Sequence, residues 1–338
     1  MAKAIVLLSG GLDSQLAVKL MLDQGVEVEC VTAMSVFDQA SARDPSESSA
    51  AKAAAHLGVP LTILDANAAM LEMVKHPAHG LGKNLNPCID CRIFLLRRAA
   101  ELMRERGADF IVTGEVLGQR PMSQRAHAMA LVAREAGVEG YVLRPLCAKL
   151  LGPTAVEKDG LVDRDKLLAI KGRSRKEQIA LAAQYGITDY PSPAGGCLLT
   201  DPGFSVRMAE LMEHGEPSLN DVELLRLGRH FRLDRVTKAV MGRMQEENAK
   251  IEELARPGDL LLDAADVMGP TTLLRGDTNR ANVTAAAALT LTYGKGRNEP
   301  AARVTVRPAG TDTVSEVTVA PAEDAAVNRW MIKRKQNA

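Results

Sequence analysis

The sequence predicts an α/β fold in which a doubly wound parallel sheet is followed by a small C-terminal α/β domain. Over the first 200 residues, short apolar runs alternate with stretches whose apolar residues recur at helical spacing. This alternation is typical of parallel sheets with crossover helices, and it changes after position 201. Since 338 residues exceed the roughly 100–200 expected of one domain, we predict a first domain at 1–200, a helical basic connector at 201–255 and a small α/β domain at 256–338.

Each element of the first domain has its own signal. Strands are predicted where apolar residues run together, at 4–8, 26–33, 61–64, 109–113 and 141–146. Helices are predicted where apolar residues share one face, after a glycine-rich loop at 9–14, before Gly58 and at 91–106. Ser174 and Glu177 form a Ser-x-x-Glu capping box, which predicts a further helix ending near Gly186.

The rest of the chain carries clustered basic residues. The predicted connector has few acids beside its cations, which are Arg226, Arg229, His230, Arg232, Arg235, Lys238 and Arg243. In the small domain, strands are predicted at 260–262, 271–274, 304–306 and 317–319, with an alanine-rich helix at 281–291. A basic tail follows, Lys333-Arg334-Lys335.

Composition limits the class of protein. The 46% hydrophobic and 25% charged content is that of a soluble globular chain. The apolar run at the N-terminus is too short for a signal peptide or a membrane span, so we expect a cytoplasmic protein without a membrane partner. Five cysteines, an odd number, favour metal or catalytic roles over a disulfide framework. Because the net charge is zero, a nucleic acid would have to be bound by local patches.

The glycine-rich loop predicts a site for a pyrophosphate group. It reads Ser9-Gly10-Gly11-Leu12-Asp13-Ser14, between a predicted strand and a predicted helix. Two glycines let backbone N–H groups approach an anion, the helix N-terminus adds partial positive charge, and the serine hydroxyls add donors. Asp13 cannot favour phosphate itself, which suggests a role in holding Mg²⁺. The alternative is an ordinary glycine turn, and the string matches neither the Walker A nor the Gly-x-Gly-x-x-Gly pattern.

The loop resembles the signature of the PP-loop ATP pyrophosphatases, which have an adenine nucleotide alpha hydrolase-like domain and cleave ATP to AMP and pyrophosphate. A second string, Thr113-Gly114-Glu115-Val116-Leu117-Gly118-Gln119, resembles the catalytic domain of tRNA 4-thiouridine synthetases, as does the stretch at 171–177. The resemblance implies that ATP is bound by Ser9, Gly10, Gly11, Asp13, Ser14, Ala33, Gly114 and Gln119. Leu274-Arg275-Gly276 and Tyr293-Gly294-Lys295 resemble a small RNA-binding domain of translation quality-control factors.

Three cysteines form a further pattern. Cys88 and Cys91 make a Cys-x-x-Cys turn at the start of a predicted helix, where thiolates are stabilised, and Cys197 follows Ala194-Gly195-Gly196. The arrangement resembles tRNA thiolases that carry a 4Fe-4S cluster on three cysteines, which we favour. At Cys91 and Cys197 it is also similar to tRNA 2-thiouridylases that use a catalytic and a partner cysteine without a cluster.

Other readings of the cysteines stay open. A rival structural zinc site would use His76, His79, Cys88 and Cys91. In such a zinc site Cys197 would not be a ligand. Cys30 and Cys147 lie in or beside predicted strands and are interpreted as small buried hydrophobes.

Together these resemblances imply ATP-dependent thiolation of a tRNA uridine, with AMP as the leaving group. Asp13, Cys88, Cys91 and Cys197 would carry the chemistry, and sulfide or a sulfur donor protein would supply the sulfur. The substrate is expected to meet Arg92, Arg120, Ser174 and Arg175, and the family is compatible with a homodimer. The alternatives are an ATP-dependent amidotransferase or ligase using ammonia, with a structural zinc site, and an RNA-binding protein with a degenerate nucleotide site. Whether the product is 2-thiouridine or 4-thiouridine stays open.

Overall fold

The computed structural model describes residues 1–39, 44–192 and 196–333. The chain forms two compact units, Met1–Thr200 and Asp201–Ala338. Parts of two predicted features, Ala194 and Gly195 ahead of Cys197 and Arg334 and Lys335 in the basic tail, lie outside the described residues. Within the described ranges, none of the helices is both long and apolar enough to cross a bilayer.

The N-terminal unit is built on a five-stranded parallel sheet, which confirms the predicted fold class. Its strands are β1 (Lys3–Leu7), β2 (Glu27–Met34), β3 (Leu61–Asp65), β4 (Phe110–Thr113) and β5 (Val142–Leu143). They are ordered β3-β2-β1-β4-β5 and every pair is parallel. The order reverses between β1 and β4, so their carboxyl ends open the crevice where such sheets bind ligands.

Helices cover both faces of this sheet. They are α1 (Leu12–Leu22), α2 (Ser49–Leu57), α3 (Asn67–Lys75), α4 (Cys88–Glu105), α5 (Ala126–Glu135), α6 (Ala155–Lys158) and α7 (Lys176–Gln184). Ala4 and Val6 of β1 are buried with Leu16 of α1, whereas Ile5 is buried with Leu96 of α4. Because both faces are buried, the strands read as continuous apolar runs.

Two local predictions for this unit were wrong. The capping box is absent, because α7 begins at Lys176 with Arg175 as its N-cap residue and no side-chain cap. The chain is still turning there, since Gly172 has a φ of +81° and its N–H donates to the Leu117 carbonyl at 2.8 Å. The strand predicted at 141–146 is limited to Val142–Leu143, because the Arg144 side chain turns into a buried ion pair with Glu115.

The C-terminal unit is a six-stranded antiparallel sheet with helices on both faces. Its strands are β6 (Arg229–Arg232), β7 (Lys238–Met241), β8 (Leu260–Ala264), β9 (Thr272–Arg275), β10 (Ala302–Pro308) and β11 (Ser315–Val319), in the order β11-β10-β8-β9-β7-β6. Its helices are α8 (Pro202–His214), α9 (Leu219–Leu224), α10 (Gln245–Glu253), α11 (Arg280–Thr292) and α12 (Asp324–Trp330).

The helical connector predicted at 201–255 is therefore wrong, since β6 and β7 lie within it and pair in the sheet. Phe231 and Met241 are fully buried against α11 residues such as Leu289. The basic residues of these strands obscured the period-2 pattern, because they occupy positions where long side chains reach carboxylates of neighbouring helices, as Arg232 reaches Glu210.

Candidate functional site

The glycine-rich loop lies directly after β1 and against the start of α2. Gly10 has a φ of +77°, and a Cβ atom there would lie 2.6 Å from the backbone nitrogen of Ala50 and overlap the Ser49 carbonyl. Gly11 is the N-cap of α1 and provides no side-chain cap. The first N–H groups of α1 are thus left for an anion.

The hydroxyl groups of the two loop serines make hydrogen bonds within the loop. The Ser14 hydroxyl donates to the Gly11 carbonyl at 2.8 Å, and its oxygen accepts the Ser9 N–H at 3.3 Å. The Ser9 hydroxyl lies 3.3 Å from that of Ser14. Ser14 is buried and holds the shape of the loop, so the backbone N–H groups and Ser9 remain as the anion donors.

The second motif folds onto the same loop. A Cβ atom at Gly114, just after β4, would lie 2.6 Å from the Ser14 backbone nitrogen. The Gln119 amide donates to Asp13 Oδ2 at 2.7 Å. Asp13 Oδ1 and Gln119 Oε1 are buried without a hydrogen-bond partner among the described residues, and such oxygens fit Mg²⁺ or its waters. Ala33 lies at the carboxyl end of β2, in register with Leu64 of β3.

The three cysteines come together in one group of loops beside this crevice. Cys88 and Cys91 lie in the first turn of α4. Cys197 forms an isolated antiparallel bridge with Asp38, which follows β2. On its other side, the Leu85 N–H donates to the Leu199 carbonyl at 3.3 Å. The segment of Cys197 is therefore joined both to the end of β2 and to the loop that leads into α4.

Burial decides the protonation of these thiols. It raises the pKa of Cys91 to about 11 and that of Cys197 to about 12. Burial also raises the pKa of Cys88, although Arg92 and Arg120 oppose it, and the Cys88 thiol donates to the Asn86 side chain at 3.0 Å. For Cys88 and Cys91, burial thus opposes the stabilisation of thiolates that is expected at the start of a helix.

Neither metal reading is assembled in the described structure. Across residues 1–39, 44–192 and 196–333, no three His, Cys, Asp or Glu side chains are grouped as ligands. His79 instead pairs through Nδ1 with Asp90 Oδ1 at 2.7 Å, and His76 ends α3. The rival zinc set is thus not formed. The three thiols supply soft sulfur donors, and Arg92 and Arg120 lie near enough to lower the Cys88 pKa, which suits a negatively charged iron–sulfur group.

Glu115 is a residue of the site that the sequence patterns did not single out. It is buried, and its carboxylate accepts from Arg144 Nε at 3.0 Å and from the Thr113 hydroxyl at 3.2 Å. Arg92 Nε lies 3.7 Å away. Burial raises the pKa of Glu115, but Arg144 and Arg92 outweigh burial and hold that pKa below its ordinary value. Its position inside the second motif was the available signal, and its ion pairs place Arg92 beside the thiols.

Replacing Glu115 with Gln should therefore lower the free energy of unfolding by about 3–5 kcal/mol, because a buried guanidinium loses its counter-charge. Chemical denaturation of the variant measures this loss. Since the folded pKa of Glu115 lies below the unfolded one, its contribution is complete above the unfolded pKa and disappears as pH falls through the folded pKa. The double variant Glu115→Gln with Arg144→Met should recover part of the loss, and a loss below about 1 kcal/mol in the single variant would contradict the assignment.

The remaining predicted substrate residues line the same region. Arg120 is exposed, and its charge interacts with those of Asp13, Cys88 and Cys197. The loop that carries Ser174 and Arg175 is joined to the second motif through a bridge between Leu117 and Lys171. The Arg175 guanidinium lies 5.9 Å from the centre of the Tyr190 ring. Arg144, which follows β5, is buried against Glu115.

Two family models match this chain. Residues 1–150 match the model described as thiamine biosynthesis protein (ThiI). Residues 228–331 match the model described as the NFACT protein RNA binding domain, in agreement with the resemblance drawn from 274–276 and 293–295.

Among known proteins, the chain is similar to tRNA-specific 2-thiouridylases. That of Syntrophotalea carbinolica is 36% identical over 118 residues, which cover 32% of this chain and 33% of the relative. That of Xanthobacter autotrophicus is 25% identical over 245 residues, 68% of this chain and 59% of the relative. The chain thus spans about a third of the first of these relatives.

Solved structures show weaker likeness. A 4-thiouridine synthetase in complex with RNA and ATP aligns over 66% of this chain and 52% of that chain, with 22% identity and a TM-score of 0.37. The C-terminal part of the fibronectin/fibrinogen-binding protein of Streptococcus suis aligns over 53% of this chain and 84% of that chain, with 14% identity and a TM-score of 0.28.

Proposed function

We propose that the N-terminal unit is a PP-loop ATP-binding domain, and that the protein adenylates a uridine carbonyl oxygen of tRNA and replaces that oxygen with sulfur. One observation carries the proposal. The phosphate loop and the Gly114 motif lie at the carboxyl edge of one parallel sheet, and the segment of Cys197 is joined there to the end of β2 and to the loop that leads into the helix of Cys88 and Cys91. ATP activation and sulfur delivery need these two kinds of group side by side.

In the first step the uridine carbonyl oxygen attacks the α-phosphorus of ATP. The new O–P bond forms as the bond from that phosphorus to pyrophosphate breaks. The N–H groups at the start of α1 hold the pyrophosphate, and Asp13 Oδ1 and Gln119 Oε1 are the oxygens that would hold Mg²⁺. Arg120, exposed beside Asp13, would offset the charge that develops on the phosphates.

In the second step a sulfur nucleophile adds to the activated carbon. The carbon–sulfur bond forms and the carbon–oxygen bond to AMP breaks, so the nucleotide leaves with the original oxygen. Cys88, Cys91 and Cys197 would deliver the sulfur. A 4Fe-4S cluster on these thiols, which we favour, would supply a bound sulfide, which free sulfide would replace after each turnover. A persulfide on one cysteine would instead need a second cysteine to break its S–S bond, leaving a disulfide that a thiol reductant reopens, and a donor protein's persulfide would reload it.

The C-terminal unit would hold the RNA, because residues 228–331 match an RNA-binding family model. RNA binding by the protein and the predicted homodimer can both be measured directly in solution. RNA binding by the full chain should weaken steeply with salt if phosphate contacts dominate.

The proposal is tested by following radiolabelled ATP with and without tRNA and by mass spectrometry of digested tRNA. RNA-stimulated formation of AMP together with a thiouridine is the expected result. An aminated nucleoside made from ammonia would point to the ligase alternative. Anaerobic analysis for iron and sulfide separates the two sulfur sources, since a 4Fe-4S cluster requires about four of each per chain, lost in Cys88→Ala. An active protein without iron would support the persulfide.

Asp13→Asn should lower ATP-to-AMP turnover at least about tenfold and raise the Mg²⁺ concentration needed for half-maximal rate, because an amide is a weaker cation ligand. Asp109→Asn is the matched control. Its carboxylate accepts the Lys3 N–H at 2.8 Å at the opposite edge of the sheet, and an amide oxygen preserves that bond. Equal Mg²⁺ dependence in both variants would remove Asp13 from the metal site.

A further inference from the structure

The C-terminal unit contains a cavity of about 190 Å³ that the proposed chemistry does not use. Apolar side chains form part of its wall, including Leu211, Leu224 and Leu273. The cations that line it are Arg232, Lys238, Arg256 and Arg275. All of these residues lie within one compact unit, so the cavity is a property of that unit alone.

Lys238 is the unusual member of this set. Its side chain is only 10% exposed, and in the described part of the chain its one ionic partner is Glu210 Oε2 at 3.7 Å. That distance is beyond hydrogen-bond range. Glu210 Oε2 itself is buried without a hydrogen-bond partner, while Glu210 Oε1 accepts from Arg232 Nε at 2.5 Å. The ammonium therefore lines the cavity with donors that no described acceptor satisfies.

The other cations share their carboxylates too. Asp221 Oδ1 accepts from Arg275 at 2.5 Å and from Arg256 at 3.2 Å. Arg275 also pairs with Asp259 at 2.6 Å. The cavity lining thus contains four cations and two acidic residues, Asp221 and Glu216, while Glu210 and Asp259 pair with cations of the lining from outside it. A buried ammonium without a hydrogen-bonded acceptor, such as that of Lys238, is costly unless an anion completes it.

We propose that this cavity binds a terminal phosphate group, with Lys238 as its principal donor. A phosphate accepts several charge-assisted hydrogen bonds at once, which is what an unsatisfied ammonium beside guanidinium groups offers. The volume is below the roughly 300–1,000 Å³ of ordinary small-molecule sites, so it suits a phosphate with at most a sugar against the apolar wall. A continuous RNA backbone would need an open groove. The assignment of this phosphate to the end of an RNA rests on the proposed function. The binding of a phosphate group in the cavity does not rest on it.

The test compares two fluorescent oligoribonucleotides of one sequence, with a 5′-phosphate or a 5′-hydroxyl, binding to the full chain. The wild-type protein should bind the phosphorylated form at least about tenfold more tightly, the effect of one charge-assisted hydrogen bond. Lys238→Met should remove most of that preference and leave binding of the hydroxyl form unchanged. Lys250→Met is the matched control, because Lys250 pairs with Glu253 elsewhere in the unit and should keep the preference.

Inorganic phosphate distinguishes the source. If it binds in a Lys238-dependent way while the two oligonucleotides bind equally, the site takes a small phosphate compound. Phosphate bound by the N-terminal loop would bind equally well to wild type and Lys238→Met. If the protein does not thiolate tRNA, these binding results keep their meaning, because they measure phosphate binding alone. If wild type and Lys238→Met bind each of the three probes with the same affinity, the proposal is overturned. Circular dichroism verifies the fold, and Arg256→Gln, which removes another cation of the lining, serves as the second variant with the same expected loss.

Discussion

Cys197→Ala is expected to lower thiolation of tRNA by more than about 10³-fold, as loss of an essential nucleophilic group does, while ATP-to-AMP turnover stays near the wild-type rate. The reason is that different groups of residues carry out ATP cleavage and sulfur transfer. The loop at 9–14 and Gly114 form the nucleotide side of the crevice, whereas Cys197 is fixed by its bridge to Asp38 beside the start of α4. The measurement is nucleoside mass spectrometry alongside release of labelled AMP.

The control for this result is Cys30→Ala. Cys30 is fully buried in β2, and burial raises the pKa of its thiol to about 12, so it has a packing role. That variant should lose some stability, of the order of 1 kcal/mol, and keep both activities. Thiolation retained by Cys197→Ala would remove the third thiol from sulfur transfer.

Gly10→Ala is expected to abolish ATP turnover and to destabilise the protein. A left-handed φ costs alanine about 1–2 kcal/mol, and overlap of the added methyl group with the backbone at Ser49 and Ala50 should add about 1–3 kcal/mol. Relief of that overlap requires the loop to move away from α2, which displaces the N–H groups that hold pyrophosphate. ATP titration and thermal unfolding report the two effects separately.

Gly107→Ala separates the steric effect from the backbone strain. Gly107 also has a positive φ, +63°, but nothing lies within 4 Å of a Cβ atom there. It should show only the strain cost of about 1–2 kcal/mol and normal ATP turnover. If both variants turn over ATP equally well, the contact between the loop and α2 is not what shapes the phosphate site.

The amino-acid sequence by itself determined the parts of this protein that depend on neighbouring residues. Continuous apolar runs predicted β1 to β4 because both faces of a parallel sheet are buried. The string at 9–14 predicted an anion site, because glycines and a helix start are local features. Cys88 and Cys91 were placed at the beginning of α4 for the same reason.

Only the tertiary structure decided what depends on distant residues and on burial. The bridge between Asp38 and Cys197 joins the segment of the third thiol to the end of β2, and the ion pair between Glu115 and Arg144 buries two charges that are 29 positions apart in the sequence. Side-chain periodicity reports which face a residue takes but not which distant carboxylate or thiol it meets. The same holds for the raised pKa values of Cys91 and Cys197, because the loss of hydration that raises them is set by the whole fold.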